Sequence, residues 1–258
     1  MKKLLVALTV AASLIACDKK DDKAVAGIFK SSPVKFQHGK AWTWIEMDAE
    51  NKPLKIGISI DDAAMNSLDT SHPGNGDHQH ENAVSMKLSA RNADVPFQHV
   101  MLDWNPHGHE PAGVYDLPHF DFHFYTTSEV ERKAIPAYEQ DSVKFKNLPA
   151  AGYMPNLYVP IPGGVPQMGT HWVDVTSGEL NGQLFTQTFI YGSYNGEVNL
   201  YEPMVTKAFL TANPTFERAI PVPQKFQKKG YYPTKMKFSK AAGAIHITLE
   251  NFVYRTAS

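Results

Sequence analysis

The chain of 258 residues holds a single cysteine, Cys17. One cysteine forms no disulfide within the chain, so the folded part depends on its core for stability. Beyond the first 16 residues, no apolar run approaches the roughly 18 residues that span a bilayer as a helix. Charge of one sign is not concentrated: 25 Lys+Arg face 26 Asp+Glu, with no basic stripe. Nucleic acid is therefore not expected as a partner, because neutralising phosphates takes clustered Lys and Arg. The nucleophile and phosphate motifs G-x-S-x-G, H-E-x-x-H and the P-loop are missing. No repeat of fixed period occurs, and helix-start signals are few.

What is present begins with Lys2 and Lys3, followed by an apolar stretch from Leu4 to Ala16. That stretch is too short for a stable transmembrane helix and has the pattern of an export signal. It ends in Leu14-Ile15-Ala16-Cys17, which resembles the lipobox of bacterial lipoproteins. The resemblance implies cleavage before Cys17 and diacylglycerol on its thiol. Two or three acyl chains then hold the chain on a membrane of the cell envelope. Lipid would also remove the one thiol from any catalysis. Asp18 is similar to an inner-membrane retention signal, which favours the inner membrane and a periplasmic face. Residues 1–16 are thus read as signal peptide, 17–28 as lipidated cysteine and tether, and 29–258 as one domain. Loss of Lys2 and Lys3 leaves 23 basic against 26 acidic residues, a net charge of −3.

The domain reads as all-β, a sandwich or barrel with one or two short helices. Short runs with period-two alternation are separated by turn residues. Gly39–Asp48 sets Trp42 and Trp44 on one face and pairs with Lys55–Asp61 as a hairpin. Further strands are expected at 84–90, 99–104, 114–125, 142–147, 171–175, 184–191, 197–201, 235–238 and 245–254. Asn195-Gly196 supplies the positive φ angles of a hairpin turn. Ser128 with Glu131 has capping-box spacing before a short helix at 130–134. A second helix is expected at 61–68.

Eleven histidines are present, and they cluster. His107, His109, His119 and His123 fall within one short span together with Glu110, Asp116 and Asp121. If His119–Tyr125 is a strand, His119, Asp121, His123 and Tyr125 share one face, and Phe120, Phe122 and Phe124 share the other. The Phe face is a core face. The opposite face carries metal-ligand types and is costly to bury unless each group is paired, solvated or bound to a cation. Residues i and i+2 lie about 6.6 Å apart along a strand, so one ion can reach His119 with Asp121, or Asp121 with His123. At about 13 Å, His119 and His123 share an ion only across a bulge or bend. His107 with His109 is another such pair, though Pro106 and Gly108 suggest a loop. His171 opens a later strand and adds a further ligand type.

The expected cofactor is one divalent transition metal, zinc or iron, held by a subset of His107, His109, His119, Asp121, His123 and His171. Glu110 and Glu202 would support it. Two other readings stand beside this one: a hydrogen-bonded network without metal in a binding or assembly lipoprotein, and a metal-free ligand pocket. His119-Phe120-Asp121 with His171 resembles the two-His, one-carboxylate triad of non-haem iron oxygenases. His107-Gly108-His109-Glu110 resembles the first cupin motif, but the cupin glutamate comes several residues later. His72, Asp77, His78 and His80 lie in a polar loop, as a second metal group or as solvated side chains. His246 alternates with Ile245 and Ile247, which turns it to solvent.

Three segments carry a further resemblance: Trp104–Tyr125 (WNPHGHEPAGVYDLPHFDFHFY), Pro166–Trp172 (PQMGTHW) and Tyr201–Leu210 (YEPMVTKAFL). Together they resemble the TTHB-two-ten-like envelope family, over most of the chain from Gly39 to Arg255. The resemblance implies an exported, β-rich domain of unknown function and brings no catalytic residues with it.

Overall fold

The computed structural model describes residues 26–70, 82–88 and 93–258. The signal segment, Cys17 and the loop group His72, Asp77, His78 and His80 lie outside the described residues. Gly27 and Ile28, expected at the end of the tether, already belong to the first strand.

In chain order the strands begin with β1 (Gly27–Lys30), β2 (Val34–Phe36), β3 (Gly39–Met47), β4 (Pro53–Asp61) and β5 (Val84–Lys87). Next come β6 (His99–Asn105), β7 (His119–Tyr125), β8 (Tyr158–Pro160), β9 (Thr170–Asp174) and β10 (Gln187–Tyr194). The last are β11 (Glu197–Thr206), β12 (Thr215–Ala219), β13 (Gly230–Tyr232), β14 (Lys235–Ala241), β15 (Ala244–Glu250) and β16 (Val253–Arg255). The helices are α1 (Asp62–Asn66), α2 (Glu129–Lys133), α3 (Ser142–Lys146) and α4 (Lys207–Ala212).

Two seven-stranded sheets form, and neither closes into a barrel. The first runs β1-β3-β4-β15-β14-β12, with β2 beside β3. The second runs β5-β6-β7-β11-β10-β9-β8. A small third sheet pairs β13 with β16. The inner faces of the two large sheets make one core, so the arrangement is a β-sandwich. Ile56, Ile58 and Ile60 of β4 and Phe120, Phe122 and Phe124 of β7 belong to this core, all fully buried. Each such side chain contributes about 1.5–3 kcal/mol through burial. Thr43 of β3 donates from Oγ1 to the Lys87 carbonyl of β5 at 2.7 Å, linking the two sheets.

Local chemistry explains the element boundaries. The hairpin of β3 with β4 forms as expected. In the β10–β11 turn, Asn195 and Gly196 both have positive φ, at 51° and 81°. The capping box at Ser128 is complete, with Ser128 Oγ accepting from the Glu131 amide and Glu131 accepting from the Ser128 amide.

Three expectations need correction. Residues 114–118 are not strand, because Pro118 has no N–H to give a ladder and Gly113 turns the chain at φ 80°. Residues 142–146 form α3 rather than a strand. Val143 is exposed and only Phe145 is buried, because the helical turn sets residues two apart on opposite sides where a strand would set them on one. The α-helices number four among the described residues, where one or two short helices were expected.

Candidate metal centre

β7 lies between β6 and β11 in the second sheet. Its Phe side chains enter the core, which leaves His119, Asp121, His123 and Tyr125 on the outer face. That face is not open to water: His119, Asp121, His123 and Tyr125 are all buried. Small apolar clusters flank it. At one end Tyr115, Phe185, Ile190 and Met204 pack together, and Phe185 meets the His119 ring edge-on at 5.3 Å. At the other, Met101, Tyr125, Met168 and Leu200 pack together, with the Arg132 guanidinium 5.4 Å from the Tyr125 ring. Charged groups enclosed in this way must be compensated from within the protein or by a bound ion.

His109 arrives from a loop. Gly108 has φ 72°, and a Cβ there would lie 2.1 Å from the Tyr115 carbonyl oxygen, so glycine is required. The His109 amide donates to that same carbonyl at 3.1 Å, which pins the loop and turns the His109 ring inward. Its Nδ1 lies 2.7 Å from the Glu110 carbonyl oxygen, and His119 Nδ1 lies 2.6 Å from the Leu117 carbonyl oxygen. A carbonyl only accepts, so both Nδ1 atoms carry hydrogen. Both Nε2 atoms therefore turn to Asp121, at 3.2 Å from Oδ2 for His109 and 3.2 Å from Oδ1 for His119. The His119 contact has no hydrogen-bond alignment. In the neutral imidazoles, each of these Nε2 atoms points a lone pair at a carboxylate oxygen. Such an arrangement is stable only with a proton or a metal ion between donor pairs.

The spacing suits an ion. Two atoms bound at about 2.0–2.1 Å to one tetrahedral centre lie about 3.3 Å apart. His109, His119 and Asp121 offer ligand atoms all within 4.8 Å of one another. Asp121, His123 and Glu202 form a second such group, so Asp121 is common to both. His123 Nε2 lies 3.2 Å from Glu202 Oε1, and His171 Nε2 lies 4.0 Å from Glu202 Oε2. Glu202 faces His123 because β11 pairs with β7 at Tyr201↔Phe124 and Met204↔Asp121 on either side of it. β9 sets His171 beside β10, with Gly192 as its register partner. These buried side chains can hold a metal ion.

Burial is the largest influence on His109, Asp121, His123 and His171; neighbouring charge overcomes it at the first three and not at His171. Burial opposes charge on His109, but Asp121 outweighs it and raises the imidazole from 6.5 to about 9. Burial also opposes charge on Asp121, and His119 with His109 overcome it and hold the carboxyl well below its usual range. His123 is raised: Glu202 overcomes the opposing effect of burial. Burial keeps His171 below its ordinary value, with His109 and His123 adding to that effect, and so favours the neutral form that binds metals.

Of the residues expected from sequence, His109, His119, Asp121, His123 and Glu202 come together, with His171 beside Glu202. His107 and Glu110 are exposed and stand outside both groups. Within the turn around Gly108, neighbouring odd residues do not share a face, so the His107–His109 pair is not formed. Glu110 contributes its carbonyl, not its carboxylate. The triad of His119, Asp121 and His171 is not assembled either, because His109 occupies the third position and His171 lies with Glu202. His119 and His123 fall in separate groups, as their spacing requires. Asn105 is a site residue that the sequence pattern did not single out. Its Nδ2 donates to Asp121 Oδ2 at 2.7 Å, from the β6 position paired with His119. The available signal was its place at the end of β6, two residues after Asp103, on the same face.

No family model, no curated protein and no solved structure matches this chain.

Proposed function

We propose that the chain is a membrane-anchored envelope lipoprotein whose domain holds one divalent transition metal at His109, His119 and Asp121. The observation that supports this reading is the fixed tautomer of two buried imidazoles. Each donates from Nδ1 to a backbone carbonyl, and each turns Nε2 to the same carboxylate at ion-sharing distance. Two imidazoles and one carboxylate suit Zn(II) or Fe(II) and leave coordination positions for further ligands. Asn105 and the two carbonyls are the outer groups that would orient these ligands. The three segments similar to the TTHB-two-ten-like family each supply a residue here: His109, His119 and Asp121 from the first, His171 from the second and Glu202 from the third. The anchor rests on the lipobox at Cys17, and with it the envelope location.

A second reading is a metal-free structural network, in which protonated imidazoles pair with carboxylates. It is favoured by the aligned hydrogen bond between His109 and Asp121 at 3.2 Å.

The two readings separate in elemental analysis of protein purified without a histidine tag. One or more equivalents of zinc or iron, lost in Asp121→Asn, support the metal centre. A protein free of metal after exposure to zinc and iron, with unchanged thermal stability, leaves only the network. Mass spectrometry of the mature protein tests the anchor: acyl groups on Cys17 support it, and an unmodified, uncleaved Met1 terminus contradicts it.

A further inference from the structure

The first sheet has an outer face of its own. β3 sends Ala41, Thr43, Ile45 and Met47 into the core and holds Trp42 and Trp44 outside, half-buried. Together with neighbouring strands these indoles line an open groove of about 300 Å³. One row crosses it in register: Lys30, Trp44, Gly57, Thr248 and Lys237. At about 4.8 Å per strand, the two lysines stand roughly 19 Å apart at their backbones.

Trp44 is held in place. It lies across Gly57, where an added Cβ would meet the indole at 2.4 Å. A chain of hydrogen bonds fixes it there. Trp44 Nε1 donates to Ser59 Oγ at 2.9 Å, Ser59 Oγ lies 2.7 Å from His246 Nδ1, and His246 Nε2 lies 3.1 Å from the Ala241 carbonyl. The carbonyl requires Nε2–H, so Ser59 donates to Nδ1 and every group in the chain is satisfied. The indole N–H is thereby used internally, and what Trp44 offers a ligand is its flat face. A pyranose ring presents polarised C–H groups on such a face, which suits the negative face of the indole.

The charges around the indoles are uneven. Lys55 is paired with Glu46 at 2.9 Å, and Glu250 with Lys235 at 3.3 Å. Among the described residues, Lys30 and Lys237 have no carboxylate partner. Lys30 Nζ sits 6.0 Å from the Trp42 ring. Eight of the eleven groove residues carry polar side chains, which disfavours a purely apolar occupant. Glu250 is engaged internally, by the Thr248 hydroxyl at 2.9 Å and by Lys235, and a carboxylate beside the groove disfavours a dense row of phosphates.

We infer that this groove binds an anionic polysaccharide, with sugar rings stacked along Trp42 and Trp44 and acidic substituents paired with Lys30 and Lys237. The site stands apart from the metal centre, on the opposite sheet.

The test titrates the full chain with polygalacturonate, phosphorylated mannan, neutral dextran and a thymidine decanucleotide, reading tryptophan fluorescence. Trp104 and Trp172 are buried, so the change reports on Trp42 and Trp44. Expected is saturable binding of polygalacturonate or the phosphorylated mannan, at least 10-fold tighter than dextran or the decanucleotide. Which anionic chain binds tells carboxylate from phosphate recognition. Trp42→Ala, which breaks no buried hydrogen bond, weakens binding 5-fold or more with an unchanged circular dichroism spectrum. Lys30→Ala with Lys237→Ala weakens it further and flattens its salt dependence. His107→Ala, an exposed change on the other sheet's side of the molecule, leaves it unchanged. Equal affinity for dextran, tighter binding of the decanucleotide, no binding of either anionic chain, or binding insensitive to Trp42→Ala overturns the inference.

Discussion

Both sheets of the sandwich carry histidine on their outer faces, and the two faces resolve it differently. On the first sheet, His246 gives one nitrogen to a backbone carbonyl and takes a hydroxyl hydrogen on the other. Its neutral form is complete, and it serves to fix an indole in an open groove. On the second sheet, His109 and His119 also give one nitrogen to a carbonyl, but the other meets a buried carboxylate. Neutral imidazoles there are incomplete, and they sit under a cover of loops and aromatic rings. Residue type is the same in both places. The second partner and the cover make one histidine a brace and the other two candidate ligands.

The largest effect that sharpens this contrast is Asp121→Asn. It removes the anion shared by both ligand groups with little change of shape, and zinc affinity is expected to fall more than 100-fold, measured by competition with a chelating dye. His246→Ala, the matching change on the other sheet, is expected to leave zinc affinity unchanged; a common loss at both positions would erase the distinction. Next in size is Asn105→Ala. An outer group that orients a ligand costs about 10-fold in metal affinity when removed, read in the same titration.

A third effect is the response to pH. In metal-free protein, His109 is raised from 6.5 to about 9, so its stabilising contribution is fully present below 6.5 and is lost as pH rises through about 9. Asp121, held low, has the opposite sign: its contribution is present above its ordinary value and is lost as pH falls well below it. Metal binding displaces protons, so the melting temperature gained from zinc should widen between pH 6.5 and 9. Thermal melts of chelated and zinc-loaded protein across that range measure it; a gap that narrows contradicts ligand exchange at these histidines. The smallest effect is expected at His107→Ala, where an exposed side chain outside both groups changes neither stability nor metal content.

Much of this contrast is legible in the amino-acid sequence. The period of two places Phe120, Phe122 and Phe124 opposite His119, Asp121 and His123, and the strand spacing separates His119 from His123. The same period sets Trp42 and Trp44 on one face. What local pattern does not carry are contacts made by distant or irregular backbone. His109 enters through a turn at Gly108, and spacing alone does not distinguish it from His107. Glu202 joins through strand pairing across 79 positions of chain, and Asn105 through register in β6. Residues 142–146 show the local limit: a strand would set Val143 and Phe145 on one face, whereas the helical turn sets them on opposite sides and only Phe145 is buried. The resemblance to a lipobox concerns residues outside those described, and its test is chemical.

The most direct measurement is X-ray absorption at the metal edge of zinc-loaded protein. Two or more imidazole nitrogens at about 2.0–2.1 Å with a carboxylate oxygen, reduced by one nitrogen in His119→Ala, is the result expected. An all-oxygen shell, or a shell that His119→Ala leaves unchanged, would contradict a centre built on β7.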